Sequence, residues 1–271
     1  MGGRLFIVGT PIGNMGDMTD RARATLRDVD VIAAEDTRRT GRLLTRFGIT
    51  GKIISLFEGN EDRRTPQIVA MLHDGKDVAL VSDAGMPGVS DPGYPLIRAC
   101  LEEGVDVRVV PGPSAVTAAL VVSGLPMDRF IFDGFLPRKV SERRARLRAM
   151  AHDPRTFVLF ESPLRVATLL RDVLVELGDR PIAVVREMTK LHEEIVRGRT
   201  SEVLAQLADH ELKGEVVLVI EGAREPEAPD LDALVGEARA LVDTGIRKRD
   251  AAAQVARAHG ASTNEIYRLL V

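Results

Sequence analysis

The chain has 271 residues, enough for two domains of ordinary size with separate cores. A net charge of −3 gives the molecule no overall positive field, so any nucleic-acid contact has to be local. Aromatic residues make up 4% and Trp is absent, which argues against a stacking platform for single-stranded bases.

No stretch of about 18 apolar residues could cross a bilayer. The opening MGGRLFIVG lacks the charged region and cleavage site of a signal peptide. A single cysteine, Cys100, cannot form an internal disulfide, and a reducing cytoplasm is the expected setting. The basic residues are 31 Arg against 6 Lys, a skew that genome composition can produce by itself.

Short apolar runs alternate with amphipathic segments along the first half. LFIV (5–8), VIAAE (31–35), IISL (53–56), VALVS (78–82) and VRVV (107–110) predict strands of nearly continuous apolar character. Strands covered on both faces of a parallel sheet have that character. Helices are expected at 19–28, 36–47, 65–74 with Pro66 in the first turn, and 92–103. From about Ser114 the pattern continues with strands at 130–135, 156–161, 182–187 and 216–221. Helices 141–151, 163–177 and 200–210 fall between them, and Ser162–Pro163 marks a helix start.

The acidic, Pro-rich EGAREPEAPD (221–230) reads as a linker. Residues 231–271 beyond it show no strand signal and predict two or three helices, the last two spaced as a helix-turn-helix or a small helical cap. The expected domains are 1–113, 114–224 and 231–271.

Two Gly/Pro-rich loops, AGMPGVSDPGYP after the 78–82 strand and PGPSAV after the 107–110 strand, leave the ends of neighbouring strands. In an open α/β sheet that edge is the ligand crevice. Gly85, Gly88, Gly93 and Gly112 would leave bare backbone there, while Asp91–Pro92 and Pro113–Ser114 read as helix starts. Polar clusters stand at other strand ends: Thr10 to Asn14, Glu35 to Arg38, Glu161–Ser162, Arg186–Glu187 with Lys190, and Glu221. VGTPIGN is not a dinucleotide fingerprint, and no GxxxxGK[ST] or GxSxG motif occurs. The five histidines are scattered, so no metal site is expected. PRKVSERRARLR (137–148) carries six basic residues, and on the helix expected from Ser141 Arg144 and Arg148 share one face, either a phosphate-binding stripe or a solvated face.

GTPIGNMGDMTDRA, AAEDTRRTGRLL, LVSDAGMPGVSDPGYPLI, VVPGPSAVTAAL, SGLP, FDGFLPRK, FESPLRV, REMTKLHEE and GEVVLVIEG follow one another in this order. Together they resemble the tetrapyrrole methylase superfamily, and within it the branch that acts on small-subunit ribosomal RNA. The similarity runs from about Arg4 to Gly222, with a terminal helical module beyond. One departure is Leu164, where the family usually has histidine.

The resemblance implies two unequal α/β domains with S-adenosyl-L-methionine in the cleft between them, usually as a homodimer. It implies 2′-O-methylation of a cytidine ribose in the decoding region of 16S rRNA, within the small ribosomal subunit. The family's cofactor loops map onto Asp83, Ala84, Gly85, Gly88, Val89, Ser90, Ser114 and Ala115, with Pro11, Leu159 and Glu221 as weaker positions. A ribose hydroxyl is a poor nucleophile, so a base (Glu35 or Asp36) or a cation (Arg38 or Lys190) would help, although ion pairs that merely lock loops explain the same residues. Arg138, Lys139, Arg143, Arg144 and Arg148 are the expected RNA contacts. The competing readings are a methylase of a tetrapyrrole-like small molecule and a non-catalytic RNA-binding module of the same fold.

Overall fold

The computed structural model describes residues 2–208, 212–224 and 230–271, which form two compact units, Met1–Gly222 and Ala223–Val271. The expected end of the 200–210 helix and residues 225–229 of the 221–230 linker lie outside the described residues.

The first unit holds two five-stranded sheets. In chain order the first is built from β1 (Arg4–Val8), α1 (Asp20–Asp28), β2 (Val31–Ala34), α2 (Thr37–Arg46), β3 (Lys52–Ser55), α3 (Glu61–His73), β4 (Val78–Val81), α4 (Tyr94–Glu102) and β5 (Asp106–Val110). Its strand order is β3-β2-β4-β1-β5 and every pairing is parallel. Alternate residues of each strand feed opposite cores. Val8, Ile32 and Val81 pack with Leu26 and Leu44 from α1 and α2. Leu5, Val31 and Leu80 pack with Ile68, Leu72 and Leu96 from α3 and α4. Both faces are covered, so the strands read as unbroken apolar runs.

The second sheet follows with α5 (Ala115–Ser123), β6 (Phe130–Phe135), α6 (Val140–Met150), β7 (Thr156–Glu161), α7 (Val166–Glu176), β8 (Pro181–Arg186), β9 (Glu194–Arg199), α8 (Thr200–Gln206) and β10 (Val216–Ile220). Its order is β6-β7-β10-β8-β9; β6 and β7 are parallel, while β10 runs antiparallel to both neighbours and β9 antiparallel to β8. α5 closes one face and α6, α7 and α8 the other.

Three local expectations are corrected. The helix expected at 65–74 begins four residues earlier, because Asn60 Oδ1 accepts the Phe57 N–H and Glu61 and Asp62 place negative charge in its first turn. Pro66 therefore lies inside α3. The helix expected at 92–103 starts at Tyr94 with Pro95 in its first turn, which frees Asp91 from capping. EIVRGR, unassigned from the sequence, is edge strand β9, its apolar content diluted by arginines at an open edge.

The second unit contains α9 (Leu231–Asp243), α10 (Lys248–His259) and α11 (Thr263–Leu270). Leu234, Val235, Ala238, Val255, Ile266 and Leu270 form its own buried core. Gly260 ends α10 in a left-handed conformation and the Ser262 hydroxyl caps α11.

Candidate functional site

All five carboxyl ends of the parallel sheet point to one edge, and the loops there are tied together by backbone. After β1, Thr10 and Gly85 exchange two backbone hydrogen bonds of 2.9 and 3.1 Å, joining the β1 loop to the β4 loop. Gly9 and Gly112 cross so closely that a Cβ on Gly9 would stand 2.6 Å from the Gly112 nitrogen. The β2 and β4 ends lock reciprocally: the Asp83 N–H donates to Glu35 Oε2 and the Asp36 N–H donates to Asp83 Oδ1, both at 3.2 Å.

Facing this edge are the end of β7, the start of β10 and the loop after β8. Two cavities lie in the cleft. The first, about 430 Å³, is lined by Ile12, Ala84 to Met86, Val89 to Asp91, Ser114 to Val116, Phe135, Phe160 to Pro163, Met188 and Gly214 to Val217. The second, about 520 Å³, is lined by Thr10 to Gly13, Met15, Arg39, Thr40, Arg42, Leu43, Arg46, Ser82 to Ala84, Lys190 and Glu215. They adjoin, sharing Ile12, Ala84 and Glu215.

The first cavity is small-residue backbone, apolar walls and a few carboxyls. Gly85 sits at φ +76° beside Ile12, and Ser90 holds φ +61°, a strained conformation for a residue with a side chain. Ser114 occupies the cap position of α5, yet its hydroxyl makes no capping bond. Burial pushes the Asp91 carboxyl up to about 6, against the lowering effect of a hydrogen bond from Ser82. Burial also raises Glu161, whose Oε2 is 3.1 Å from the Arg165 guanidinium but has no aligned hydrogen bond.

The second cavity is more polar. Arg39 pairs with Asp83 at 3.0 Å, and the Lys190 ammonium reaches Glu187 at 2.7 Å and Glu215 at 3.1 Å. Burial lowers the Lys190 pKa, but the hydrogen bonds and negative charges of Glu187 and Glu215 together outweigh it and raise the pKa, holding the ammonium charged. The loop that carries Lys190 is fixed by unusual backbone, with Glu187 and Thr189 both at positive φ.

The structure gathers most of the expected cofactor positions. Ala84, Gly85, Val89, Ser90, Ser114 and Ala115 line the first cavity, and Pro11, Asp83 and Ala84 line the second. Other expected positions fall outside. Gly88 packs against Ile97 and Tyr94 and shapes the loop without lining it. Gly93 and Gly112 serve close approaches to Leu80 and Gly9. Leu159 is wholly buried in the core on the far face of β7, so its neighbour Phe160 faces the cleft. Glu221 follows the end of β10, and because that strand is antiparallel to β7, its beginning, Gly214 to Val217, is what reaches the cavity.

Of the four expected catalytic residues, only Lys190 lines a cavity. Asp36 caps α2 through the Arg38 and Arg39 N–H groups, and its hydrogen bond with the Arg38 side chain lowers its pKa to about 2. Arg38 is otherwise exposed to solvent. Glu35, raised by burial, is bound to the Asp83 backbone. The stripe on α6 is largely neutralised. Arg143, 3% exposed, pairs with Asp172 at 2.6 Å and cannot face a solvent-borne ligand, which corrects its assignment to RNA. Arg144 shares Asp172, Arg148 pairs with Glu176, Lys139 with Glu142, and Arg146 with Asp133. Arg138 lends its carbonyl to Arg143.

Sequence reasoning missed Asp91, which looked like a cap, and Phe160, Met188 and Glu215. The only signal for these is proximity to strand ends, whose direction was evident for the first sheet but not for the second.

The structure is a doubly covered parallel sheet joined to a mixed second sheet, with a cleft of loop backbone between them. Residues 4–204 match the family described as Tetrapyrrole (Corrin/Porphyrin) Methylases, and the chain belongs to that family. Within it, the chain is 46% identical over 269 residues to "Ribosomal RNA small subunit methyltransferase I" of Mycobacterium tuberculosis (strain CDC 1551 / Oshkosh), covering 98% of this chain and 93% of the relative. It is 50% identical over 220 residues to the Thermotoga maritima protein of the same name, covering 81% of this chain and 99% of that one. Among solved structures, uroporphyrin-III C-methyltransferase from Thermus thermophilus in complex with S-adenyl homocysteine superposes with a TM-score of 0.56 at 21% identity, over 81% of this chain and 97% of that one.

Proposed function

We propose that the protein is an S-adenosyl-L-methionine-dependent methyltransferase of small-subunit ribosomal RNA, acting on the 2′-hydroxyl of a cytidine ribose in the decoding region of 16S rRNA. The observation that carries the reading is the pair of adjoining cavities, one built for an amphipathic cationic ligand and one more polar, in a chain 46% identical over almost its whole length to a relative named for that RNA.

The donor fits the first cavity. The uncapped Ser114 hydroxyl, the small Ala84, Gly85 and Ala115, and the apolar Ile12, Met86 and Phe160 suit an adenosine and its aliphatic chain, and the Asp91 carboxyl suits positive charge. Bound there, the donor supplies an electrophilic methyl group. The remaining work is positioning, because holding two reactants in line removes much of the barrier. Lys190, fixed by Glu187 and Glu215, stabilises charge developing on the ribose oxygen from the second cavity. Glu35 and Asp36 act one step removed, by locking Asp83. Arg138 and Lys139 just before α6, with Arg144 and Arg148 on it, give outer phosphate contacts, weakened by the carboxylates that offset most of them.

The working form is a cytoplasmic homodimer. The edge strand β5 supports the dimer, since Val109 is 58% exposed on it, and the lone buried Cys100 supports the reducing compartment. Incubating the protein with radiolabelled methyl donor and purified small subunits tests the reading. Label in the RNA supports it; label only in an added tetrapyrrole, or none despite donor binding, contradicts it.

A further inference from the structure

α2 sets Arg39, Arg42 and Arg46 at spacings of three, four and seven, which bring side chains onto one helical face. All three line the second cavity, but their charges have different fates. Arg39 is spent on Asp83 at 3.0 Å. Arg42 and Arg46 make no ion pair or side-chain hydrogen bond with any described residue. The cations on α6 and at its N-cap differ sharply, since Asp172, Glu176, Asp133 and, for Lys139, Glu142 already hold them.

The other charges of the cavity are internally matched as well. Lys190 on the opposite wall is tied to Glu187 and Glu215, and Asp83 to Arg39. Two guanidinium groups are thus left uncompensated at the wall of a cavity of about 520 Å³, a size that accepts a nucleotide. A guanidinium fork matches phosphate oxygens in pairs and is less strongly hydrated than an ammonium, so it gives up its water to a phosphate at lower cost. The cavity also shares Ile12, Ala84 and Glu215 with the donor cavity, so whatever sits in it abuts the transferable group.

We propose that the second cavity seats the target nucleotide and that Arg42 and Arg46 bind phosphates of the RNA strand carrying it. This rests on the ribosomal RNA reading above and names the part of the surface that grips the substrate. The contacts are to phosphate, so they set register and affinity without reading the base.

The test uses the full chain with Arg42→Gln and Arg46→Gln combined, two surface positions where the fold should persist, as a thermal melt confirms. Binding to purified 16S rRNA is followed as salt is raised, and transfer to small subunits is measured alongside donor affinity by calorimetry. The log–log salt slope should fall by roughly 0.7 for each single-stranded phosphate that is no longer neutralised. KM for subunits should rise while kcat and donor affinity hold. A control, Arg21→Gln with Arg27→Gln on α1, removes the same charge from a helix that lines neither cavity and should keep the parental slope. A parental slope and KM in the α2 variant would overturn the proposal. An equal drop in the α1 control would overturn it too, since it would mean a diffuse charge effect. Absence of transfer by the parent would instead refute the enzymatic reading, independently of the comparison between variants.

Discussion

Asp91 lies in the wall of the first cavity with the Ser82 hydroxyl in reach, and burial raises its carboxyl from 3.8 to about 6. Its folded pKa exceeds the unfolded one, so folding takes up a proton. The contribution to stability is fully present below the unfolded value of 3.8 and is lost as pH rises through about 6. Asp91→Asn removes the buried charge, so its melting temperature should exceed the parent's at neutral pH. That advantage should fade as pH falls through the same window. Melts across that range check this, and a difference that does not change with pH would mean Asp91 does not titrate there.

The crevice loop containing Asp91 was legible from its glycines and prolines, but the residue's job was not, because an Asp before a Pro looks like a cap whenever the helix start is unknown. Leu164 was legible as a departure. Its 83% exposure beside the cavity-lining Pro163 explains why an apolar residue is tolerated where histidine is usual, since no packed core depends on its shape.

At the scale of elements, direction mattered more than position. The parallel sheet announced its own ligand edge, since every strand there leads into a helix and all carboxyl ends must coincide. The second sheet follows no such rule. VVLVI is apolar at every position and carries no signal of direction, so Glu221 was expected at the cleft when it stands at the opposite end of an antiparallel strand. TFVLFE, apolar on both faces, likewise could not say whether Leu159 or Phe160 faces the cleft. Phe160→Ala should weaken donor binding several-fold by removing apolar surface from the cavity wall, while Glu221→Ala should leave it unchanged. Calorimetry with the methyl donor decides this, and the reverse ranking would restore the parallel direction. The pairing of Gly9 with Gly112 is a third case: two glycines, each ordinary in a βα turn, are required because their backbones touch, and only the fold shows it.

For the whole molecule, the division at Gly222 separates the loops that line the two cavities from three helices with their own core. The Thermotoga maritima relative is 99% covered by 220 matched residues, a length close to that of the first unit alone. A protein ending at Gly222 should therefore fold and bind the methyl donor with parental affinity. It should methylate subunits poorly, because Arg247, Lys248, Arg249, Arg257 and Arg268 leave with the helices. An insoluble truncation would show that those helices complete the first unit's core, and full activity would show them dispensable for the substrate.

The identity of the methylated nucleoside bears most directly on the proposed activity. Small subunits methylated by the purified protein, digested to nucleosides and analysed by mass spectrometry, should yield 2′-O-methylcytidine, and fragment mapping should place it in the decoding region. A methyl group on a base, on a different nucleoside or on a different region of the RNA would contradict that assignment.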